Sequence, residues 1–371
     1  MFFFDRLRGR RLYVTVALIF LLAAVVLILS IFKFEAKPVW VPHYESAALL
    51  LDEQDLNSTT MDIECTCTNQ GPHLHAVSGA TNAGDSIPVI VPESMPEPGA
   101  HVLAKIEANQ RQDSVLVIAT ANYGMREYLY NWIESLGRTQ QDQQYLVFCL
   151  DDKLYQHMVA AGYQDHAIQV PENWFHDPSS SDFEDYFSPR YRLITHAKTI
   201  IVQQLLYLNI TVLFSDVDIV WLRPGTVDYI MSLDPDQDLD AIFQLEGVFD
   251  HEINTGFYLM RPTYAMKRFL AQTIYLQDTS PEKITQQVAA NRIIDTVADQ
   301  IALLDVAFFP NGMVYFDTNI AGARGVDPYI LHANYRVGAQ KKDELASRGF
   351  WYLDDKWLAD VDAQIDPPPS T

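Results

Sequence analysis

The chain has 371 residues, 49% of them hydrophobic and 20% charged, which supports one large core or two modest ones and excludes collagen-like, fibrous and wholly disordered classes. Lys plus Arg number 26 against 48 Asp plus Glu, a formal net charge of −22; a field of that sign repels the phosphate backbone and excludes nucleic acid as a natural partner. An acidic protein attracts a phosphate-bearing ligand through a local device, and a carboxylate-bound divalent cation is the obvious one.

The first element is an uninterrupted apolar run, Leu12 to Phe32, LYVTVALIFLLAAVVLILSIF, long enough as a helix to cross a hydrocarbon core of roughly 30 Å. It runs on into Lys33-Phe34-Glu35-Ala36-Lys37 rather than into a small-residue cleavage site, so it reads as an uncleaved anchor instead of a signal peptide. Arg6, Arg8, Arg10 and Arg11 precede it, while Lys33 and Lys37 follow it, and that bias keeps residues 1–11 in the cytosol. Everything after residue 32 is then expected to face a lumen. Two Asn-x-Ser/Thr acceptors, at Asn57 and Asn209, suit that side, the second beside an apolar strand that can shield it.

Residues 33–112 are rich in Pro, Ser, Glu and Asn and show no sustained period, as a stem would. Cys65 and Cys67, with His73 and His75 nearby, are too closely spaced for an ordinary zinc site; inter-chain disulfides joining two stems into a homodimer suit them better. The third cysteine, Cys149, falls in an apolar strand pattern, YLVFCL, where a buried inert thiol is the default.

From residue 113 onward, apolar runs alternate with helical patterns. SVLVIATAN, YLVFCLDD, TVLFSDVDIVWL, DAIFQ and NTGFYLMRPT read as strands; EYLYNWIESL, KLYQHMVAAGY and THAKTIIVQQLLYLNI read as helices. The β-α-β-α order predicts an α/β domain over 113–371, a mostly parallel Rossmann-like sheet with helices on both faces and its ligands beyond the carboxyl ends of the strands.

At such a strand end lies Asp216-Val217-Asp218. In extended chain, residues two apart share a side, so the two carboxylates converge and offer hard oxygen ligands to Mn²⁺ or Mg²⁺. The alternative is a solvated acidic turn. Farther on, Leu331-His332-Ala333-Asn334-Tyr335-Arg336-Val337-Gly338-Ala339-Gln340-Lys341-Lys342 sets an imidazole at a strand end with cations a turn later. His332 can complete a metal shell, and Lys341 or Lys342 can neutralise a departing phosphate; a surface histidine with solvated lysines is the plainer reading.

Five blocks in order, ANYGMREYLYNWIESL, VLFSDVDIVWLRP, NTGFYLMRPT, DQIALLDVAFFPNGMVYF and HANYRVGAQKKDELASRGFWYLDD, resemble the nucleotide-diphospho-sugar glycosyltransferases that include plant rhamnogalacturonan-II xylosyltransferases and extensin arabinosyltransferases. The resemblance covers about residues 113 to 356. It implies a GT-A fold, a metal-dependent retaining glycosyltransferase, and transfer from a UDP-sugar of the xylose, galactose or arabinose class to a glycan or glycoprotein acceptor. It also implies a single-pass type II protein of the Golgi membrane. Residue by residue, the resemblance makes Asp216, Asp218 and His332 metal ligands and sets Lys341 on the diphosphate. Thr120 and Asn122 approach the nucleoside, Asn254 and Gly256 line the donor sugar, and Asp299-Gln300 matches an acidic-amide pair. One departure is Arg223-Pro224-Gly225, where the family usually continues Arg-Asp-Pro.

Retention of configuration admits a carboxylate nucleophile, with Asp299 or Glu246 available, or attack by the acceptor from the leaving-group face, which needs no protein base. The second is preferred because no carboxylate stands out. Trp174 and Trp351 are candidates to stack an acceptor sugar. Two rivals remain at this point: a haloacid-dehalogenase-like phosphohydrolase with Asp216 as nucleophile and Asp218 as acid/base, and a catalytically silent lumenal sugar-binding protein.

Overall fold

A computed structural model describes residues 74–76, 90–171, 174, 189–247 and 252–366. The expected anchor at 12–32, with Cys65, Cys67 and Asn57, lies outside the described residues; among those described, no helix is long and apolar enough to cross a membrane. All described residues belong to one unit, Asn69–Thr371.

A short antiparallel ribbon of β1 (Leu74–Ala76) and β2 (Ile90–Pro92) comes first, followed by helix α1, Ala100–Asn109. Helix α1 falls within the stretch that composition reads as stem, yet Val102 and Ile106, four residues apart on one face, are buried in the core. Each such side chain contributes about 1.5–3 kcal/mol. Lys105 fastens the same helix to the sheet by donating to the carbonyls of Gln164 (2.7 Å) and Ala167 (2.6 Å).

Next come β3 (Val115–Ala121), α2 (Arg126–Arg138), β4 (Leu146–Cys149), α3 (Asp152–Ala160), β5 (Ala167–Gln169), α4 (Pro189–Tyr207), β6 (Thr211–Ser215), β7 (Ile219–Trp221), α5 (Thr226–Ser232), β8 (Ala241–Leu245) and β9 (Ile253–Met260). The chain closes with α6 (Tyr264–Thr279), α7 (Gln286–Ile293), β10 (Ile301–Leu304), α8 (Ile320–Arg324), β11 (Ile330–His332), α9 (Ala339–Ser347) and α10 (Asp355–Ile365). Side-chain caps start several helices: Asp151 accepts from the Leu154 amide at 2.9 Å, Thr263 from Met266 and Thr285 from Val288.

The main sheet has seven strands in the order β10-β8-β9-β6-β3-β4-β5. It is mostly parallel, as expected; β9 alone runs against its neighbours β6 and β8. Helices cover both faces. Leu116, Ile118, Val212 and Phe214 face α1, α4 and α6, whereas Val117, Ala119 and Leu213 face α2, α3 and α10. Burial on both sides is why β3 is a continuous apolar run and not an alternating one. Cys149 is a buried free thiol, its pKa raised by burial.

The segment read as one strand, TVLFSDVDIVWL, is two. Strand β6 stops at Ser215, residues 216–218 form a turn, and β7 leaves the sheet to pair antiparallel with β11. Asn209 sits exposed in the turn before β6, with φ +61°. From β3 the chain winds outward through β4 and β5, then returns to β6 on β3's other side. That reversal opens a crevice at the carboxyl ends of β3 and β6.

Candidate metal centre

Asp216 and Asp218 sit at this crevice on the β6–β7 turn. They converge because the chain turns there, with Ile219 N donating to Asp216 O at 3.3 Å, and not through the alternation of extended chain. The pairing of β7 with β11 sets His332 opposite Ile219, and Ala333 N donates to Asp218 O at 3.0 Å. One ligand atom from each of Asp216, Asp218 and His332 lies within 4.8 Å of the others.

The neighbouring strands shape this group. The amide of Asp216 donates to Gly256 O at 2.7 Å, bringing β9 so close that a Cβ on Gly256 would stand 2.5 Å from Asp216 Oδ2 and 2.6 Å from His332 Cε1. Glycine is therefore required there. Gly256 N donates to Asn254 Oδ1 at 2.7 Å, and the Asn254 amide donates in turn to Glu246 Oε2. The register of β8 against β9 shifts after Phe243, where β9 carries the extra residues Thr255, Gly256 and Phe257, and the buried Gln244, two residues after Ile242 on the same face of β8, points to the site. Its Nε2 donates to Phe309 O at 3.1 Å, so its Oε1 is the acceptor for His332 Nδ1 at 2.8 Å. Nδ1 must then carry a proton, which leaves Nε2 as the ligand atom.

His332 Nε2 faces Asp218 Oδ1 at 3.3 Å. With Nδ1 engaged by Gln244, Nε2 is the ring atom that faces the carboxylate and is placed to ligate a cation shared with it. Two carboxylate oxygens and one imidazole nitrogen suit Mn²⁺ or Mg²⁺, and the site residues fit such an ion.

Two ammonium groups complete the charge pattern. Lys198 of α4, almost wholly buried, donates to Asp216 Oδ1 at 2.7 Å, and Lys341 in the first turn of α9 donates to Asp218 Oδ2 at 2.5 Å. Burial works against ionisation of Asp218, but Lys341 and His332 outweigh it and hold the carboxyl well below its ordinary range. Lys342 points elsewhere, to Glu127 at 2.8 Å and over the Trp351 ring.

Thr120 and Asn122 lie buried at the end of β3, on the other wall of the crevice, and the Thr120 hydroxyl has no hydrogen-bond partner among the described residues. The structure thus brings together Thr120, Asn122, Asp216, Asp218, Glu246, Asn254, Gly256, His332 and Lys341. It does not bring Asp299 and Gln300 to them. Both are exposed just ahead of β10, whose register aligns Ile301 with Ala241 at the leading edge of β8, the edge opposite the site. Their backbone serves the sheet instead, Gln300 O accepting from Asp240 N at 2.7 Å. Trp174 is buried against Phe148 and cannot reach a ligand; Trp351 packs edge-on against Tyr128.

Sequence reasoning passed over Lys198, Gln244 and Asn334. Lys198 left the clearest signal, since it stands on the buried stripe Thr195, Lys198, Val202 of α4, where a lone lysine needs a partner.

Residues 140–345 match the family described as nucleotide-diphospho-sugar transferase, and the chain belongs to that family. Among curated relatives it is 25% identical to a UDP-galactose:fucoside alpha-3-galactosyltransferase of Dictyostelium discoideum, over 70% of this chain and 46% of that protein. The chain thus spans about half the length of that relative. It is 26% identical to the UDP-D-xylose:L-fucose alpha-1,3-D-xylosyltransferase MGP4 of Arabidopsis thaliana, over 66% of this chain and 72% of that one. Among solved structures, the glycosyltransferase GlyE of Streptococcus pneumoniae shares 14% identity, with 68% of this chain and 63% of that chain covered and a TM-score of 0.43. Family membership decides against the phosphohydrolase reading, in which Asp216 was a nucleophile.

Proposed function

We propose that this chain is a metal-dependent, retaining glycosyltransferase with a GT-A-type domain. It moves a sugar of the xylose, galactose or arabinose class from a UDP-sugar to a glycan or glycoprotein acceptor. The observation that carries this reading is the convergence of Asp216, Asp218 and His332 at the crevice, flanked by Lys198 and Lys341. Two carboxylates balanced by two ammonium groups form a site that accepts a dication together with a diphosphate without large net charge.

In this reading Asp216, Asp218 and His332 hold Mn²⁺ or Mg²⁺, which supplies Lewis-acid neutralisation of the diphosphate. Gln244 fixes the His332 tautomer. Lys341 is released from Asp218 to place its positive charge on the leaving phosphate, where negative charge grows as the sugar departs. Thr120 and Asn122 meet the nucleoside, and the Thr120 hydroxyl, buried without a hydrogen-bond partner among the described residues, supports that role. Asn254 and Gly256 shape the wall beside the donor sugar. Glu246 meets that wall by accepting a hydrogen bond from the Asn254 amide, which suits a group that orients rather than attacks. The acceptor hydroxyl then attacks from the leaving-group face and gives its proton to the departing phosphate.

The apolar run 12–32 and the charge bias around it support a single-pass type II protein of the Golgi membrane with a lumenal domain, and the Cys65-Thr66-Cys67 motif supports stem-linked homodimers. The test is a screen of UDP-sugars against the full chain purified in detergent. Mn²⁺-dependent release of UDP that is lost in Asp218→Ala supports enzyme function. Binding without turnover for every donor would leave only the silent sugar-binding alternative.

A further inference from the structure

Residues 333–338 link β11 to α9 and so run along the rim of the site, from His332 to the turn that carries Lys341. Within this loop Tyr335 has φ +58°, a left-handed conformation that a bulky residue rarely adopts. Tyr335 is 46% exposed, and Val337 two residues on is 61% exposed. Backbone strain of this kind gathers where ligands are gripped.

Nor is the loop slack. Asn334 Oδ1 accepts from Gly312 N at 2.7 Å, and the two segments touch so closely that a Cβ on Gly312 would lie 1.9 Å from Asn334 O. The Tyr335 hydroxyl donates to Glu246 O at 3.1 Å. Arg336 grips Asp317 at 2.6 Å and donates to Tyr335 O at 3.0 Å. The ring is therefore fixed, and through Glu246 and Asn254 it belongs to the network that ends at Gly256 beside the metal ligands.

We propose that Tyr335, with Val337, is the platform on which the acceptor sugar stacks. The apolar C–H face of a pyranose lies on the ring and its hydroxyl points toward the donor. Rings of this kind offer a large apolar face at little conformational cost, and a neutral sugar suits them because neither residue carries charge. The inference rests on the glycosyltransferase reading and adds to it the determinant of acceptor choice.

The test uses the full chain with Tyr335→Gly, which relieves the left-handed strain and so preserves the fold, and with Tyr335→Trp, which keeps a platform. Transfer to a panel of methyl glycosides is followed together with UDP-sugar hydrolysis in the absence of acceptor. Expected in Tyr335→Gly is an acceptor KM raised at least about tenfold, with a much smaller loss in kcat and in hydrolysis; Tyr335→Trp recovers most of the KM. Tyr264→Ala, which removes an exposed ring outside the site, changes neither. An unchanged acceptor KM in Tyr335→Gly, or parallel losses in KM, kcat and hydrolysis, overturns the proposal. Saturation-transfer NMR of methyl glycosides separates the two levels. If wild type turned over no donor but bound a glycoside in a Tyr335-dependent way, the enzyme reading would fail and the platform would stand. Absence of Tyr335-dependent binding would overturn the platform itself.

Discussion

Replacing Gly256 by alanine probes the packing that draws the metal ligands together. The new Cβ would lie 2.5 Å from Asp216 Oδ2, 2.6 Å from His332 Cε1 and 2.9 Å from Asn254 Oδ1, where 3.0 Å is the practical minimum. Asp216 and His332 must each retreat from the new methyl group by roughly half an ångström. Overpacking of this sort costs about 1–3 kcal/mol of stability, a fall of a few degrees in Tm for a domain of this size. The catalytic loss is larger in proportion, since about 1 Å of misplacement removes about two orders of magnitude in rate. We expect kcat/KM for UDP-sugar hydrolysis to fall about 10- to 100-fold, with a weaker response to Mn²⁺. Gly162→Ala is the control. Gly162 has φ +88° and open space around it, so that variant loses a comparable amount of stability through backbone strain while keeping its activity. Wild-type hydrolysis and Mn²⁺ response in Gly256→Ala, with only Tm lowered, would refute the reasoning.

Gln244→Leu removes the acceptor that fixes His332 Nδ1 and should weaken Mn²⁺ activation about 10- to 100-fold; metal titrations of hydrolysis measure it. Lys341→Ala should lower kcat at least about 100-fold because it removes charge from the leaving phosphate, whereas Lys342→Ala, which loses only partly exposed pairs with Glu127 and Asp355, should stay within a few-fold. Comparison of the two by steady-state kinetics decides which lysine acts. The third expectation concerns acid. His157 is buried between the Tyr130 hydroxyl (2.7 Å) and Asp362 (2.9 Å), and burial lowers its pKa from 6.5 although Asp362 opposes this. The unfolded chain therefore binds the proton more readily, so stability is full above about pH 6.5 and declines as the pH falls below it. A second decline begins below about pH 4, where Asp362 of the unfolded chain takes up a proton while the folded carboxyl resists; burial raises its pKa, but Arg126 and His157 bring it below the ordinary carboxylate value. Thermal melts from pH 8 to pH 3 should show both steps, and His157→Gln should remove the first.

The apolar flanks of Asp216 and Asp218 made the strand end legible, and the alternation of apolar runs with helical patterns made the α/β sheet legible. The reason the two carboxylates meet was not legible: whether a strand continues through Asp-Val-Asp or breaks there depends on where β7 finds its partner, and β11 lies more than a hundred residues away. Distance also hid Gln244, an ordinary strand residue whose partner His332 lies 88 residues farther along the chain. Asp299 and Gln300 match a family motif, but strand β10 runs parallel to β8 and leaves both at the far edge. Helix α1 escaped notice because its apolar face amounts to Val102 and Ile106, and no side chain caps its start.

A divalent cation held jointly by Asp216, Asp218 and His332 is what the proposed chemistry requires. Crystals soaked with UDP and Mn²⁺, measured at the manganese edge, should give an anomalous peak bounded by those three side chains, with Lys341 moved off Asp218 toward phosphate. No peak there, with the Lys198–Asp216 and Lys341–Asp218 pairs intact beside bound UDP, would contradict it.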